Sequence, residues 1–185
     1  MDKLTIRELM SPVDQFPRIS SQATFHEAVV ALEKAQEEFR SGKTKQRILL
    51  VEDQGKTIVG KLSPMDVVRG LEPKYDKIDS LKDDIRFGLP QIVRSMKDDY
   101  RLWQDPLGDL CRKAGDIRIE SMLNVPGPTQ SVKIEDNINT AFHLFATARH
   151  DSLYVMDGER IVGLLRFSDV YAAICRVIKA CNIDH

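Results

Sequence analysis

Two short runs of the sequence place polar side chains where a strand is predicted to pass into a helix. The first run spans Ile58 to Val67 and the second spans Ile161 to Val170, and six of the ten positions are identical. In the first run Ser63 can cap the helix, Pro64 suits its first turn, and Asp66 lies three residues after the cap. Backbone N–H groups that are unpaired at such a junction can hold an anion. A carboxylate beside them can accept hydrogen bonds from hydroxyl groups, such as those of a ribose.

The two copies differ at the position of the hydroxyl. The second copy keeps Gly163 and Asp169, but Arg166 stands where the first copy has Ser63, and Ser168 is not in register with it. Arg166 can contact a phosphate directly or obstruct the site, and the sequence leaves both interpretations open. A Ser-x-x-Asp pair is also an ordinary helix cap. For one copy alone we would prefer that interpretation, but two copies in matched contexts favour binding.

Each run ends a longer repeated unit. The first unit is predicted to contain, in order, a short opening segment Ile6–Met10, an extended piece at Phe16–Ile19, a helix capped by Thr24 and Glu27 and ended by Ser41-Gly42, a strand Ile48–Val51, a turn Asp53–Lys56, a strand Thr57–Leu62 and a helix from Pro64 to about Leu71. The long helix has an apolar stripe formed by Phe25, Ala28, Val29, Leu32 and Phe39. The two strands are expected to form a hairpin.

The second unit repeats this order. Its predicted parts are an opening segment Ile119–Leu123, an extended piece Val132–Ile134, a helix capped by Asn137 with the stripe Ile138, Ala141, Phe142 and Phe145, a hairpin of strands at Leu153–Val155 and Arg160–Leu165, and a last helix from about Phe167 with Val170, Ile174, Val177 and Ile178 on its apolar face. Internal repetition constrains the fold before any motif does. We therefore predict an α+β fold of two repeats, each a small sheet flanked by helices, packed as a pseudo-twofold pair.

The two repeated units resemble a known family. Both units resemble cystathionine-β-synthase (CBS) domains, and the pair resembles a Bateman module. The resemblance rests on Leu9-Met10 and Met122-Leu123, on the two helix stripes, and on the Gly-x-Leu-x-x-x-Asp runs Gly60–Asp66 and Gly163–Asp169. It covers roughly residues 1–71 and 117–179. The resemblance implies units of strand, helix, strand, strand and helix that pair to form clefts for adenosine nucleotides or related adenosyl ligands.

The resemblance also implies roles for individual residues. The hydroxyl of the motif meets phosphate and its Asp meets the ribose hydroxyls. Lys61 and Arg18 are further candidate phosphate partners of the first site. The expected ligand-binding residues are Gly60, Lys61, Ser63, Asp66, Arg18 and Ile19 in the first site and Gly163, Arg166 and Asp169 in the second. The expected ligands are AMP, ADP, ATP or S-adenosylmethionine, and no cofactor is required.

The segment between the repeats is unusually long for a linker in this family. We predict the boundaries 1–71 for the first repeat, 72–116 for a helical insertion and 117–185 for the second repeat. Within the insertion, Ile92, Val93, Met96, Tyr100 and Trp103 fall close to helical spacing, and a short helix with Leu107, Leu110 and Cys111 is predicted to start at Asp105-Pro106 and to end at Gly115. The insertion is expected to pack on the module or on a second subunit. A regulatory or partner-binding role is the alternative.

Composition and charge give no support to a nucleic-acid, membrane or metal-binding function. The formal net charge is −1, so no global charge favours nucleic acid or a membrane surface. No apolar run is long enough to span a bilayer and the start lacks a signal peptide, so we expect a cytoplasmic protein. The three cysteines form no CxxC pair and the four histidines show no metal-ligand spacing.

No nucleophile–base pair or phosphate-cradling Gly-rich loop appears in the sequence either. The expected function is therefore that of a non-enzymatic, ligand-sensing regulatory module that uses the inter-repeat cleft. It is expected to form a homodimer and to act on a partner protein that supplies the output. A ligand-free dimerisation or protein-interaction scaffold is the alternative.

Overall fold

Short strands and amphipathic helices follow one another in the order that the two repeats predict. The computed structural model describes residues 4–72, 106–123, 126–148 and 150–181. Its elements are α1 (Ile6–Leu9), β1 (Ser11–Pro12), a 3₁₀ turn (Val13–Gln15), β2 (Arg18–Ser20), α2 (Phe25–Arg40), β3 (Leu49–Glu52), β4 (Ile58–Leu62), α3 (Pro64–Leu71), α4 (Leu107–Ala114), a 3₁₀ turn (Ile119–Met122), β5 (Ser131–Lys133), α5 (Ile138–Ala148), β6 (Ser152–Asp157), β7 (Arg160–Arg166) and α6 (Phe167–Cys181).

The strands of the described residues form two small sheets. One has the order β1-β7-β6-β5 and the other the order β2-β3-β4. In the first sheet β5 runs parallel to β6, while β6 and β7 form an antiparallel hairpin, as predicted. The short strand β1 adds to the free side of β7, with Pro12 opposite Gly163. These sheets and their flanking helices confirm the predicted α+β fold of two repeats.

Local capping explains why the helices begin where the sequence predicts. The Thr24 N–H donates to Glu27 Oε2 at 2.7 Å, and the Glu27 N–H donates to the Thr24 hydroxyl oxygen at 3.2 Å. A second capping box, Thr5 with Glu8, starts α1 and was not singled out in the sequence. Ser41 is the C-cap of α2, and the following Gly42 takes a left-handed conformation with φ 74°. Each cap satisfies backbone groups that a helix end leaves without partners.

The first compact unit combines the start of the chain with the second repeat. Its described residues lie within Met1–Arg18, Glu52–Gly60 and Asn124–His185. Thr5 forms a bridge with Asn137, the residue that caps α5. Ile6 is fully buried in the apolar core of this unit, which also contains Val132, Ile134, Ile138, Ala141, Phe145, Leu153, Val155, Leu165 and Val170.

The second compact unit combines the first repeat with the opening segment of the second repeat. Its described residues lie within Ile19–Val51 and Lys61–Leu123. Arg118 forms a bridge with Thr24, the residue that caps α2. Ile119 is buried, and its N–H donates to the Ala23 carbonyl at 2.9 Å. Each repeat therefore gives its opening segment to the long helix of the other. These units group residues by packing, whereas the boundaries 71/72 and 116/117 group them by sequence repetition, and those boundaries stay a prediction.

Two residues placed on apolar stripes are exposed. Phe39 is 39% exposed, and Ala35 lies on the buried face of α2 in its place. The Arg47 guanidinium lies over the Phe39 ring, 5.8 Å from its centroid, which gives the ring a partner outside the core. Ile178 is 55% exposed near the end of α6. The predictions for these two side chains were wrong because spacing identifies a helix face but not how far the neighbouring layer extends.

The insertion is described only at its end. The predicted short helix is present as α4, with Pro106 as its N-cap, Gly115 as its C-cap and Leu110 buried. The predicted stripe from Ile92 to Trp103 lies outside the described residues.

Replacing Gly163 with Ala is expected to destabilise the first unit. A Cβ at this position would lie 2.6 Å from the Ser11 carbonyl oxygen of β1, which is too close, so one backbone must shift. Overpacking of this kind costs about 1–3 kcal/mol. Urea unfolding of the variant measures the loss. Gly127→Ala is the matched control, because a Cβ there meets nothing within 4 Å. Equal stability of the two variants would contradict the close approach of β1.

Candidate functional site

Ser63 and Asp66 lie at the start of α3, where the first motif predicts them. Asp66 Oδ2 accepts hydrogen bonds from the Ser63 N–H at 2.7 Å and from the Ser63 hydroxyl at 2.6 Å. Both bonds fall on the same oxygen. Asp66 Oδ1 accepts no hydrogen bond within the part of the chain that the structure describes. The pair is therefore a helix cap, and the half-buried residue Asp66 keeps one carboxylate oxygen available to an external donor.

The backbone at this helix start offers few donors to an anion. Pro64 has no N–H, and the N–H groups of Asp66 and Val67 both point to the Ser63 carbonyl, at 3.0 and 3.3 Å. A phosphate group at this position would depend mainly on side chains. The Ser63 hydroxyl has a single proton, so it would have to turn from Asp66 to donate to a phosphate.

Arg166 and Asp169 form an ion pair at the start of α6. Arg166 Nε lies 2.7 Å from Asp169 Oδ2, and Arg166 Nη2 lies 2.8 Å from Asp169 Oδ1. Both carboxylate oxygens are therefore occupied by one guanidinium, in the parallel geometry that makes such pairs strong. The two side chains are 19% and 29% exposed, so water reaches them only in part. The second motif thus differs from the first in its hydrogen bonding as well as in its sequence.

The two glycines lie within strands. Gly60 is buried in β4, and Gly163 lies in β7 against the backbone of Ser11. Packing against β1 alone is enough to require glycine at position 163. A ligand role of Gly163 stays a prediction.

The remaining predicted residues lie on two strands of the second sheet. Arg18 and Ile19 belong to β2, and Lys61 belongs to β4, with β3 between these strands. The Arg18 guanidinium lies 3.5 Å from Glu52 Oε2, and Lys56 Nζ lies 2.8 Å from Glu52 Oε1. The structure thus brings Ser63 to Asp66 and Arg166 to Asp169, and it directs Arg18 to Glu52.

Glu52 was not singled out from the sequence. The hydrogen bond from Lys56 and, to a smaller extent, the Arg18 guanidinium hold its pKa below the usual range of a carboxyl group. The available signal was local: Glu52 ends a buried strand, and Lys56 follows four residues later across the turn.

Two other kinds of site find no support among the described residues. None of the described helices combines the length and the apolar character that crossing a membrane requires. Within the same residues, no group of three or more His, Cys, Asp or Glu side chains is arranged to hold a metal ion.

Comparison with known families matches the second repeat. Residues 122–176 match the model of the family described as "CBS domain". No protein of curated function matched the sequence.

Solved structures with this fold cover both repeats. The chain superposes on CBSX2 in complex with AMP with a TM-score of 0.53 at 17% identity, covering 94% of this chain and 97% of that one. For the CBS domains of a transcriptional regulator from Streptococcus pneumoniae, the TM-score is 0.51 at 14% identity, with coverage of 92% and 99%. The cytosolic domain of the Mg²⁺ channel MgtE in complex with ATP gives 0.50 at 16% identity, covering 89% of this chain and 46% of that one. The family match identifies a CBS domain at residues 122–176, and these structures show that the chain shares the fold of CBS-domain proteins.

Replacing Glu52 with Gln is expected to destabilise the protein at neutral pH and to matter less in acid. Because the pKa of Glu52 is lowered in the folded state, its contribution is present above the pKa of an unfolded carboxyl, about 4.3, and is lost as the pH falls through the lowered value. Melting temperatures from pH 7 to pH 3 measure the difference between wild type and variant. Glu33→Gln, an exposed change on α2, is the control. A difference that is constant with pH would contradict the ion pairs.

Proposed function

We propose that this CBS-domain protein senses an adenosine nucleotide or related adenosyl ligand (AMP, ADP, ATP or S-adenosylmethionine) at the start of α3 and passes the signal to a partner protein. The observation that carries the proposal is Asp66 Oδ1 at the motif position, which accepts no hydrogen bond from the residues that the structure describes. The proposal is also supported by the fold, since proteins that share it were solved with AMP and with ATP. We place this activity in the cytoplasm.

The proposed chemistry divides between sugar and phosphate. Asp66 accepts hydrogen bonds from the ribose hydroxyls through Oδ1 while Oδ2 continues to cap the helix. Lys61 and Arg18 supply positive charge for the phosphate, and Ser63 adds a hydroxyl when it turns from Asp66. For Arg18 this requires that the contact with Glu52, at 3.5 Å and partly exposed, gives way to the ligand. In this proposal no bond of the ligand is made or broken, so the protein acts as a regulator and not as an enzyme.

A homodimer is part of the proposal. The α6 helix exposes Phe167, Tyr171 and Ile178, which are spaced by four and seven residues and so lie on one side of the helix. The rings of Phe167 and Tyr171 stack, with centroids 6.2 Å apart. Contiguous exposed apolar side chains of this kind mark interaction surfaces. The same observation favours the second candidate function, a dimerising scaffold that needs no ligand.

Removing the carboxylate of Asp66 is expected to weaken binding of AMP about ten- to a hundredfold, because a charge-assisted hydrogen bond is worth about 1.5–3 kcal/mol. Isothermal titration calorimetry of Asp66→Ala and Asp66→Asn measures the loss. Asp66→Ala also removes a helix cap, so Glu27→Ala is the matched control, since Glu27 has the same place in the capping box of α2. That control should lose stability and keep its affinity.

Asp169→Ala tests the second motif by the same measurement of AMP affinity. Because Asp169 is already paired with Arg166, its removal is expected to leave the affinity for AMP almost unchanged. If Asp169→Ala removes binding and Asp66→Ala does not, the assignment of the two motifs is reversed. If wild type binds no adenosyl ligand while remaining a dimer, the scaffold is the function.

A charge on the exposed side of α6 is expected to dissociate the dimer. Tyr171 is 57% exposed, so Tyr171→Glu leaves the core intact but places a carboxylate in the proposed interface. Sedimentation velocity at micromolar concentration should show a dimer for wild type and a monomer near 21.0 kDa for the variant. Ala172→Glu, on another side of the same helix, should remain a dimer. A wild-type protein that sediments only as a monomer would contradict the proposal.

A further inference from the structure

We infer that Arg166 limits the chain to one adenosyl ligand by closing the second motif to ribose. The inference rests on the proposed function, because it concerns the copy of the motif to which that proposal assigns no ligand. It makes Arg166 a specificity-determining residue that acts by occupying Asp169.

The two carboxylates differ in what they can still accept. Asp66 receives both of its hydrogen bonds on Oδ2, from the neutral N–H and O–H groups of Ser63. Asp169 receives one bond on each oxygen, from the two nitrogens of a charged guanidinium. A ribose hydroxyl is a neutral donor. At Asp66 it meets an oxygen that accepts no hydrogen bond from the described residues. At Asp169 the guanidinium already spans both oxygens and balances their charge, so a further bond from a neutral donor is weaker.

The elements on both sides hold this ion pair in place. Arg166 ends β7, where Leu165 beside it is fully buried, and Asp169 lies in the first turn of α6, where Val170 beside it is also fully buried. Between them, the Phe167 N–H donates to the Asp151 carbonyl at 2.9 Å. The Phe167 ring meets the Phe145 ring edge to face, 5.5 Å between centroids. The guanidinium therefore reaches its partner from a fixed strand–helix junction, with little freedom left to lose on pairing.

The start of α6 also stabilises the ion pair between Arg166 and Asp169. Asp169 lies in the first turn of α6, where the positive end of the helix dipole attracts its carboxylate and so helps to hold it beside the guanidinium. An arginine that turned away from Asp169 to bind a phosphate would leave this carboxylate unpaired and half-buried, which is costly. The geometry thus favours obstruction over direct phosphate binding, the two roles that the sequence left open for Arg166.

Stoichiometry tests the inference. Calorimetric titration of the full chain with AMP is expected to give one ligand per chain for wild type. Arg166→Thr restores the small hydroxyl at the motif position, frees Asp169, and is expected to give two. The added phase should disappear in the double variant Arg166→Thr/Asp169→Ala and persist in Arg166→Thr/Asp66→Ala. Arg176→Thr, an exposed change of the same kind on α6, is the control and should still bind one.

A second variant distinguishes the effect of the two-nitrogen contact with Asp169 from the effect of a positive charge alone. Arg166→Lys keeps a cation but has only one nitrogen, so it cannot place a separate nitrogen on each oxygen of Asp169. It is expected to give a second phase weaker than that of Arg166→Thr, whether or not the threonine variant loses stability. Melting temperatures of both variants verify that the proteins titrated are folded.

The possible outcomes distinguish the two proposals. If Arg166→Thr and Arg166→Lys both bind one AMP at Asp66, the closure is wrong and the proposed function stands. If Arg166→Thr loses the binding that wild type shows, Arg166 is a phosphate ligand and the inference is overturned. If wild type binds none and Arg166→Thr binds one that depends on Asp169, the closure stands and the Asp66 site does not. If no variant binds AMP, both fail.

Discussion

The fold depends on an exchange of opening segments between the two repeats. Ile6, near the start of the first repeat, is buried with the long helix of the second, and Ile119, near the start of the second, is buried beside the long helix of the first. The bridges Thr5 to Asn137 and Arg118 to Thr24 show the same relation on the backbone. Each opening segment is too short to fold alone, and each long helix has an apolar start that needs cover. Neither unit can therefore be completed from its own repeat. In both units, residues more than 90 positions apart in the sequence must come into contact.

This exchange determines what the motif positions can do. The segment that contains Ile6 continues into β1, whose backbone lies so close to β7 that Gly163 has no room for a side chain. Three residues later β7 ends at Arg166, which turns to Asp169. In the first motif the strand ends at Leu62 and the small Ser63 follows, so the carboxylate of Asp66 caps the helix and keeps one oxygen available. One substitution at equivalent positions thus changes an accepting carboxylate into an internally neutralised one.

Much of the fold follows from local signals in the sequence. The boxes at Thr24 and at Ser63 fix where α2 and α3 begin, and the duplicated runs predict the order of elements in both repeats. The exchange could not be predicted, because Ile6 and Ile119 look alike and the pattern does not say which long helix each one covers. The predicted burial of Phe39 and Ile178 was wrong for a related reason, since a helical stripe does not show where the neighbouring layer of the fold ends. At the candidate site, both Asp residues and the asymmetry at Arg166 could be predicted from the sequence. Choosing between phosphate binding and obstruction required the two distances of the ion pair.

If an adenosyl ligand binds the folded chain, thermal unfolding in the presence of that ligand detects the binding directly. A panel of AMP, ADP, ATP, S-adenosylmethionine and NAD would be added to the protein at rising concentrations. A ligand present at about a hundred times its dissociation constant stabilises the folded state by about 2.7 kcal/mol, which for a chain of this length raises the melting temperature by about 5–10 °C. We expect a rise of this size, dependent on ligand concentration, for at least one adenosine nucleotide or S-adenosylmethionine. A melting temperature that none of these compounds changes at millimolar concentration would contradict this expectation.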